Sequence, residues 1–289
     1  MTNLAQRLRE RWRHRYWQPD AATASFARLR PVTVITGASE GIGRALAGEF
    51  ARGGHDLLLV ARNSEALESA AAELAPAGVK IRTLSADLAT EPGCAAVEAT
   101  LAGASAYCDI LVNNAGIGLG GPFASKPRDD LRRLLDLNIG AVTDLTRRFL
   151  PGMLSRGSGG ILNVGSLAGF VPGPNQAAYY ASKAYLISLT EALASETAGQ
   201  GVRMAALLPG PVATRWHAKA GAEHSYYLSL IGVMSPEQVA RAGFRGFRRG
   251  RTLIYCGILD HINAVAVHRL PHWMTIPVVG WMLRQRQAG

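Results

Sequence analysis

The stretch AAYYASKAY sets Tyr179 and Tyr180 just ahead of Lys183. A free tyrosine titrates near pH ~10 and is a poor proton shuttle at neutral pH. An ammonium one helical turn away favours the phenolate, and a phenol tuned in this way can pass a proton to or from a reacting oxygen. Residues three and four apart on a helix are both surface neighbours, so either tyrosine can approach the lysine. Helical spacing leaves the choice between them open.

A second stretch with chemical content is TGASEGIGRALA, where Gly37, Gly41 and Gly43 lie between an apolar run and a helical pattern. Glycines there allow a tight turn and let backbone N–H groups approach a phosphate, while the helix behind offers its positive N-terminal end. The spacing is GxxxGxG, not the GxGxxG of the commoner dinucleotide fingerprint. The lack of GK[ST] argues against a Walker-type triphosphatase. A carboxylate about 20 residues on would grip a ribose 2′-OH, whereas an arginine suits a 2′-phosphate. Here the chain reads VARNSEAL: Ala61 and Asn63 are uncharged, Arg62 is cationic and Glu65 falls in the next helix. That favours NADP, with NAD second. Glu40, inside the glycine loop, pulls the other way, because a carboxylate facing a 2′-phosphate would repel it.

Both stretches need a frame to hold them. From Val32 onward the short apolar runs VTVIT, DLLLVA, VKIRTLSA, DILVNN, GGILNVGS, VRMAALLPG and RTLIYC alternate with stretches of helical periodicity. Among the latter are DDLRRLLDLNIGAVTDLTRRFL and KAYLISLTEALASETAGQ. Strands alternating with helices predict βαβ units, an α/β fold and a parallel sheet with helices on both faces. The runs are nearly all apolar, as expected of strands buried on both sides. The pattern predicts one domain over 31–256, a basic arm over 1–30 and an apolar, basic tail over 257–289.

At 289 residues, 48% hydrophobic and 18% charged, the chain is globular in composition, neither disordered nor membrane-spanning overall. The formal charge of +10 comes from arginine, since lysine stands only at Lys80, Lys126, Lys183 and Lys219. Such an excess favours phosphates, acidic carrier proteins or lipid headgroups, or reflects only a preference for arginine. Cys94, Cys108 and Cys256 are too widely spaced for a disulfide framework or a CxxC metal pair. No metal site is expected, and a reducing compartment suits the chain. MTNLAQRLRERWRHRYWQPD is basic with no apolar run behind it, unlike a secretory signal. No segment has the uninterrupted apolar length of a transmembrane helix. The expected location is the cytoplasm, with peripheral contact at a membrane surface. RLRERWRHRYW interleaves Arg with Trp and Tyr, but one short arm is thin support for RNA binding, and no nucleic-acid partner is expected.

In chain order, TGASEGIG (36–43), ADL (86–88), NNAG (113–116), LNIGA (137–141), VGS (164–166), YYASK (179–183) and PGPVAT (209–214) resemble the motif set of the short-chain dehydrogenase/reductase family. The resemblance covers roughly residues 31–256. It implies a Rossmann-type doubly wound parallel sheet of about seven strands. It also implies an NADP-preferring oxidoreductase that interconverts a carbonyl compound and its alcohol. The family pattern is YxxxK with a serine thirteen residues before the tyrosine. Ser166 stands thirteen residues before Tyr179, so the resemblance selects Tyr179 as general acid/base and leaves Tyr180 a neighbour.

The same resemblance implies that Lys183 lowers the Tyr179 pKa and binds the nicotinamide ribose. Ser166 holds the substrate oxygen, and Asn138 supports a water-linked proton path. For the cofactor it points to Gly37, Ser39, Gly41, Ile42 and Gly43 at the pyrophosphate and to Arg62 at the adenosine ribose. Asp87 and Leu88 fall at adenine, Asn114, Ala115 and Gly116 under the ribose, and Val212 and Thr214 at the nicotinamide carboxamide. Asp87 can serve at once as a helix N-cap ahead of ATEPG. The alternative is an NADP-binding sensor or scaffold without turnover, against which the intact set Asn138, Ser166, Tyr179 and Lys183 speaks.

The segment after PGPVAT, RWHAKAGAEHSYYLSLIGVM, is expected to be a mobile lid closing over a small hydrophobic carbonyl or alcohol. Near the C-terminus Trp273 and Trp281 have flanking His and Arg, as in an interfacial amphipathic segment. A helix packed on a partner subunit or over the pocket would look the same. Arm and tail are expected to be dispensable for hydride transfer but not for assembly, as a homodimer or homotetramer, or for surface attachment.

Overall fold

A computed structural model of the chain describes residues 26, 28–221, 232–257, 260–262 and 269–284. Most of the basic arm, half of the expected lid and parts of the tail lie outside the described residues. Each of the seven apolar runs forms a strand: β1 (Arg30–Thr36), β2 (Leu57–Ala61), β3 (Ile81–Ser85), β4 (Ala106–Asn113), β5 (Gly159–Val164), β6 (Val202–Leu208) and β7 (Leu253–Tyr255). They make one sheet in the order β3-β2-β1-β4-β5-β6-β7, with every neighbouring pair parallel. The order reverses between β1 and β4, and in such a doubly wound sheet the crevice at the carboxyl ends there is where ligands bind.

Successive strand residues point to opposite faces, and both faces are covered. Ile35 and Leu59 pack with Leu46, Phe50, Phe244 and Phe247 on one side. Val34 and Leu58 pack with Leu111, Leu145, Phe149 and Met153 on the other. β3 departs from the expected burial, with Arg82, Thr83 and Ser85 exposed. It is an edge strand with a single neighbour, so its polar side chains reach solvent. The expected boundary at residue 31 is also slightly late. β1 begins at Arg30, and Phe26 packs edge-on against Tyr107 at 5.7 Å. The Arg156 guanidinium lies over both rings, 4.7 and 4.1 Å from their centres.

Helices α1 (Gly41–Arg52), α2 (Ser64–Leu74) and α3 (Glu91–Gly103) join the first four strands. The run read as one long helix is three pieces: α4 (Arg128–Leu135), a π turn (Asp136–Gly140) and α5 (Ala141–Arg156). A π turn carries one residue more than an α turn and re-aims the side chains within it. Asn138 is buried inside it. α6 (Ala177–Glu196) carries both tyrosines and Lys183. It is keyed to the sheet by a buried chain of amides and hydroxyls. Asn113 donates to the Asn163 carbonyl at 2.9 Å, and the Asn163 amide donates to Thr190 Oγ at 2.9 Å. Buried polar groups paired in this way fix one register, since any slip would leave them unpaired. Beyond β6 come the short α7 (Trp216–Lys219), α8 (Pro236–Arg248) and α9 (His272–Met282). No helix among the described residues is long and apolar enough to cross a membrane.

Candidate active site

A crevice of about 1050 Å³ runs along the carboxyl ends of the strands, from the glycine loop to the start of α6. At its first end β1 turns through Gly37 and Gly41, both with positive φ (64° and 56°), into α1. A Cβ on Gly43 would stand 2.2 Å from the Gly37 carbonyl oxygen, so the helix can start this close to the strand only with glycine there. The N-cap residue Glu40 makes no side-chain capping bond, which leaves the first-turn N–H groups of α1 open to an anion. Ser39 and Ile42 line the same end. These features fit a pyrophosphate.

Glu40 itself is turned into an ion-paired cluster. Arg215 reaches its carboxylate at 2.5 Å, and Lys219 pairs with the other oxygen. Burial raises the Glu40 pKa, but the bonds and charges of Lys219 and Arg215 outweigh it and hold the carboxyl below its ordinary value. The anticipated repulsion in the loop is therefore largely neutralised by two cations from the segment after β6.

Arg62 stands at the end of β2 and lines the crevice with Asp87. The Asp87 carboxylate accepts from Arg133 at 2.9 and 3.1 Å and from the Ala89 N–H at 3.2 Å. Burial pushes its pKa up, but Arg133, the Ala89 N–H and the Arg62 charge bring the carboxyl below its ordinary value. The expected N-cap role does not hold: Thr90 caps α3, accepting from the Gly93 N–H at 3.2 Å. Leu88 is buried under this end. In the middle, Thr36 Oγ accepts from the N–H groups of Asn114 (2.9 Å) and Ala115 (3.0 Å), while the Asn114 amide donates to the carbonyls of Thr36 (2.9 Å) and Gly37 (3.1 Å). This lattice locks β1 to β4 at the floor of the crevice. Sequence reasoning passed over Thr36, although it opens the glycine motif.

At the far end Ser166, just past β5, accepts from the Ala168 N–H at 3.1 Å and donates to the Pro209 carbonyl at 3.4 Å. The Tyr179 hydroxyl bonds to the Ser166 side chain. Lys183 Nζ donates to the Val164 carbonyl at 2.8 Å and lies 5.7 Å from the centre of the Tyr179 ring. Burial pushes Tyr179 up to about 12, against the opposing bond from Ser166, and pushes Lys183 down to about 8. For the chain by itself Tyr179 thus lies above its ordinary value, where a lowered one was expected, because desolvation of the half-buried phenol outweighs its partner, while the buried Lys183 loses charge stabilisation in turn. Tyr180 turns aside. Its ring packs against Gly173, 6.0 Å from the Tyr179 ring, and burial raises its pKa as well.

Asn138 makes three hydrogen bonds within the protein, which leaves one lone pair of its carbonyl oxygen for a further donor. Its carbonyl accepts from the Ile117 N–H (2.9 Å), and its amide donates to the Ile117 carbonyl (2.9 Å) and to Ser182 Oγ (3.1 Å). Ser182 in turn donates to the Tyr179 carbonyl at 2.7 Å. A Cβ on Gly116 would lie 3.2 Å from Asn138 Oδ1 and 3.8 Å from Lys183 Nζ, so the π turn, the loop after β4 and α6 converge there. Val212 is buried and bridges to Met234, and Thr214 lines the crevice beside Gly41.

One part of the site escaped the sequence reading, and another was only one of its alternatives. The Trp216 indole lies 4.8 Å from the Tyr179 ring, centre to centre, at 47°; the only signal was an aromatic residue two places past PGPVAT. The tail helix α9 contributes Val279, Met282 and Leu283 to the apolar wall of the crevice. The tail therefore packs over the pocket, one of the alternatives its sequence left open.

Residues 31–225 match the family model described as short chain dehydrogenase. Oxidoreductase UcpA of Salmonella typhimurium is 38% identical over 182 residues, 63% of this chain and 69% of its own. Ketoacyl reductase HetN of Nostoc sp. is 31% identical over 222 residues, 76% of each chain. Among solved structures, a short-chain dehydrogenase from Sphingobium yanoikuyae in complex with NADPH is similar with a TM-score of 0.73 at 34% identity, covering 83% of this chain and 96% of that one.

Proposed function

The chain belongs to the short chain dehydrogenase family, and on that footing we propose that it is an NADP(H)-dependent oxidoreductase interconverting a small hydrophobic carbonyl compound and its alcohol. The observation that carries this reading is one continuous crevice with a phosphate-sized glycine cradle at one end and the bonded pair Ser166–Tyr179, with Lys183 beneath, at the other.

The glycine loop, Asn114, Ala115, Gly116, Val212 and Thr214 would hold the dinucleotide, with Arg62 at its 2′-phosphate. Bound NADPH would supply a hydride to the carbonyl carbon. The Ser166 hydroxyl holds the substrate oxygen beside the Tyr179 hydroxyl. Tyr179, protonated throughout the neutral range, donates its proton to the oxygen as negative charge develops there. The Lys183 ammonium offsets the phenolate left behind, and Asn138 holds the route by which that proton is restored from solvent. With its pKa raised, Tyr179 keeps its proton at neutral pH, which is the form that reduction of a carbonyl requires.

Ile117, Leu167, Phe170, Trp216 and the α9 wall make the substrate end apolar, which suits a hydrophobic carbonyl. The reading extends to a homodimer or homotetramer in the cytoplasm and to peripheral membrane contact through the tail. The test is loss of NADPH absorbance with a panel of ketones, aldehydes and 3-ketoacyl thioesters. Turnover with an apolar carbonyl is expected. Tight NADPH binding with no carbonyl reduced would sink the proposal in favour of a sensor.

A further inference from the structure

Helix α9 is apolar on every side, and only part of it is covered. Thr275 and the neighbouring Leu283 are buried, and Val279, Met282 and Leu283 face the crevice. Gly280 sits against Pro174, where a Cβ would come within 3.2 Å of the proline ring. The other side carries Trp273, Val278 and Trp281, which are 75%, 57% and 50% exposed, with Met274 and Leu270 beside them. A helix that is hydrophobic all round belongs in a core or a membrane, and an exposed apolar patch of this kind marks a contact surface.

The charges around it say what the contact is. From His261 to the C-terminus the sequence has no Asp or Glu, while Arg269, Arg284 and Arg286 bracket the helix with His268 and His272. A second copy of the chain on this face would set these cations against one another across a two-fold axis. Tryptophans backed by arginine are what an anionic lipid surface takes up, the rings at headgroup level and the guanidiniums on the phosphates. The helix has 11 residues, about 16 Å of length. A bilayer core is about 30 Å thick, so the helix must lie in the interface plane.

We infer that the outer face of α9 seats the crevice on an anionic bilayer, so that the substrate is a bilayer-borne lipid carbonyl entering past Val279 and Met282. This rests on the proposed reductase activity. It adds that the element holding the membrane is the wall of the substrate site.

The experiment uses the full chain and W273Q/W281Q, neither position lining the crevice. Co-sedimentation is measured with phosphatidylcholine vesicles with and without phosphatidylglycerol. NADPH oxidation is then followed with a water-soluble ketone and with a long-chain ketone carried in the vesicles. Binding to the anionic vesicles should weaken about tenfold or more in the double variant. Turnover of the soluble ketone should be unchanged, and the apparent KM for the vesicle-borne ketone should rise about tenfold. Equal vesicle binding by both proteins would overturn the inference. So would a double variant that loses only self-association, which would assign the face to a second copy. Tryptophan-dependent vesicle binding without reduction of any carbonyl would strike down the reductase reading and leave the lipid contact standing.

Discussion

Lys183 Nζ and the carbonyl oxygen of Val164 are 2.8 Å apart, and Tyr179 bonds to Ser166 two residues further along the same strand end. Acid and ammonium are therefore both referenced to the carboxyl end of β5 instead of to each other. The Asn113–Asn163–Thr190 chain holds α6 in the register that makes this possible. Each group titrates mainly as its own burial dictates, and their joint action depends on the strand end that holds both.

Tyr179→Phe removes the hydroxyl that bonds Ser166 but keeps the ring against Trp216. General acid catalysis is worth about 10²–10⁴ in rate, so kcat should fall by that factor with NADPH affinity little changed. Tyr180→Phe keeps its ring on Gly173 and should leave kcat nearly intact. Stopped-turnover and cofactor titration of both variants check this; a dead Tyr180→Phe beside an active Tyr179→Phe would reverse the assignment.

Lys183 titrates at about 8 in the free chain. Below that pH it is charged and can offset the phenolate; above it the charge is lost. The pH profile of reductive kcat/KM reports the free enzyme, so it should be flat toward neutrality and decline through about pH 8. Tyr179, at about 12, adds no limb in this range. A profile level up to pH ~10 would detach Lys183 from the chemistry.

The same lysine is a cost to the fold. Its folded pKa lies below its unfolded one, so the unfolded chain takes up the proton more readily. Lys183 therefore opposes folding fully below about pH 8, and the penalty fades as pH rises through the unfolded value. A drop from 10.5 to about 8 corresponds to about 3 kcal/mol. Its bond to Val164 returns about 1 kcal/mol. Lys183→Met should abolish turnover yet raise stability at neutral pH by about 2 kcal/mol, seen in urea unfolding; a destabilised variant would contradict this.

Much of this was legible because it is local. Seven apolar runs became seven strands, and the thirteen-residue step from Ser166 to Tyr179 brought those two hydroxyls together. What was missed or left open depends on long-range packing. The π turn around Asn138 needs one inserted residue that no periodicity signals. The exposure of β3 follows from its place at the sheet edge, which is a property of strand order and not of its composition. Trp216 meets Tyr179, and α9 meets the crevice, only after the whole sheet has formed. The Tyr179 pKa went the other way from expectation because burial of the phenol cannot be read from YYASK.

Arg62 is the cation at the end of β2, and none of positions 61–63 is acidic. A 2′-phosphate there gains a charge-assisted bond, which a 2′-OH would not. Arg62→Asp should reverse the preference from NADPH to NADH, measured as the ratio of kcat/KM values. Equal efficiency with both cofactors in the unaltered enzyme would remove the basis for the assignment.

Glu40 clasps the segment after β6 to the glycine loop through Arg215 and Lys219. That segment includes Trp216, whose ring lies on Tyr179, so the clasp links the cofactor end of the crevice to the acid. Glu40→Gln removes the charge that holds Arg215 and Lys219 but keeps the shape. Two cations released beside the phosphate cradle should draw the anionic cofactor in more strongly, while Trp216 is held less firmly over Tyr179. The pairs are substantially exposed, and such pairs are worth at most about 1 kcal/mol each. The expected outcome is therefore modest: a KM for NADPH lowered about threefold, and kcat lowered by no more than about fivefold. The cofactor KM should also rise more steeply with salt than in the unaltered enzyme, because the freed cations act through screened charge. Because Glu40 titrates below the ordinary carboxylate range, acidification to about pH 5 should leave the clasp closed and should not reproduce the variant. Steady-state kinetics at two salt concentrations decide it; an unchanged KM with an unchanged salt slope would show that Glu40 has no part in holding the segment over the site.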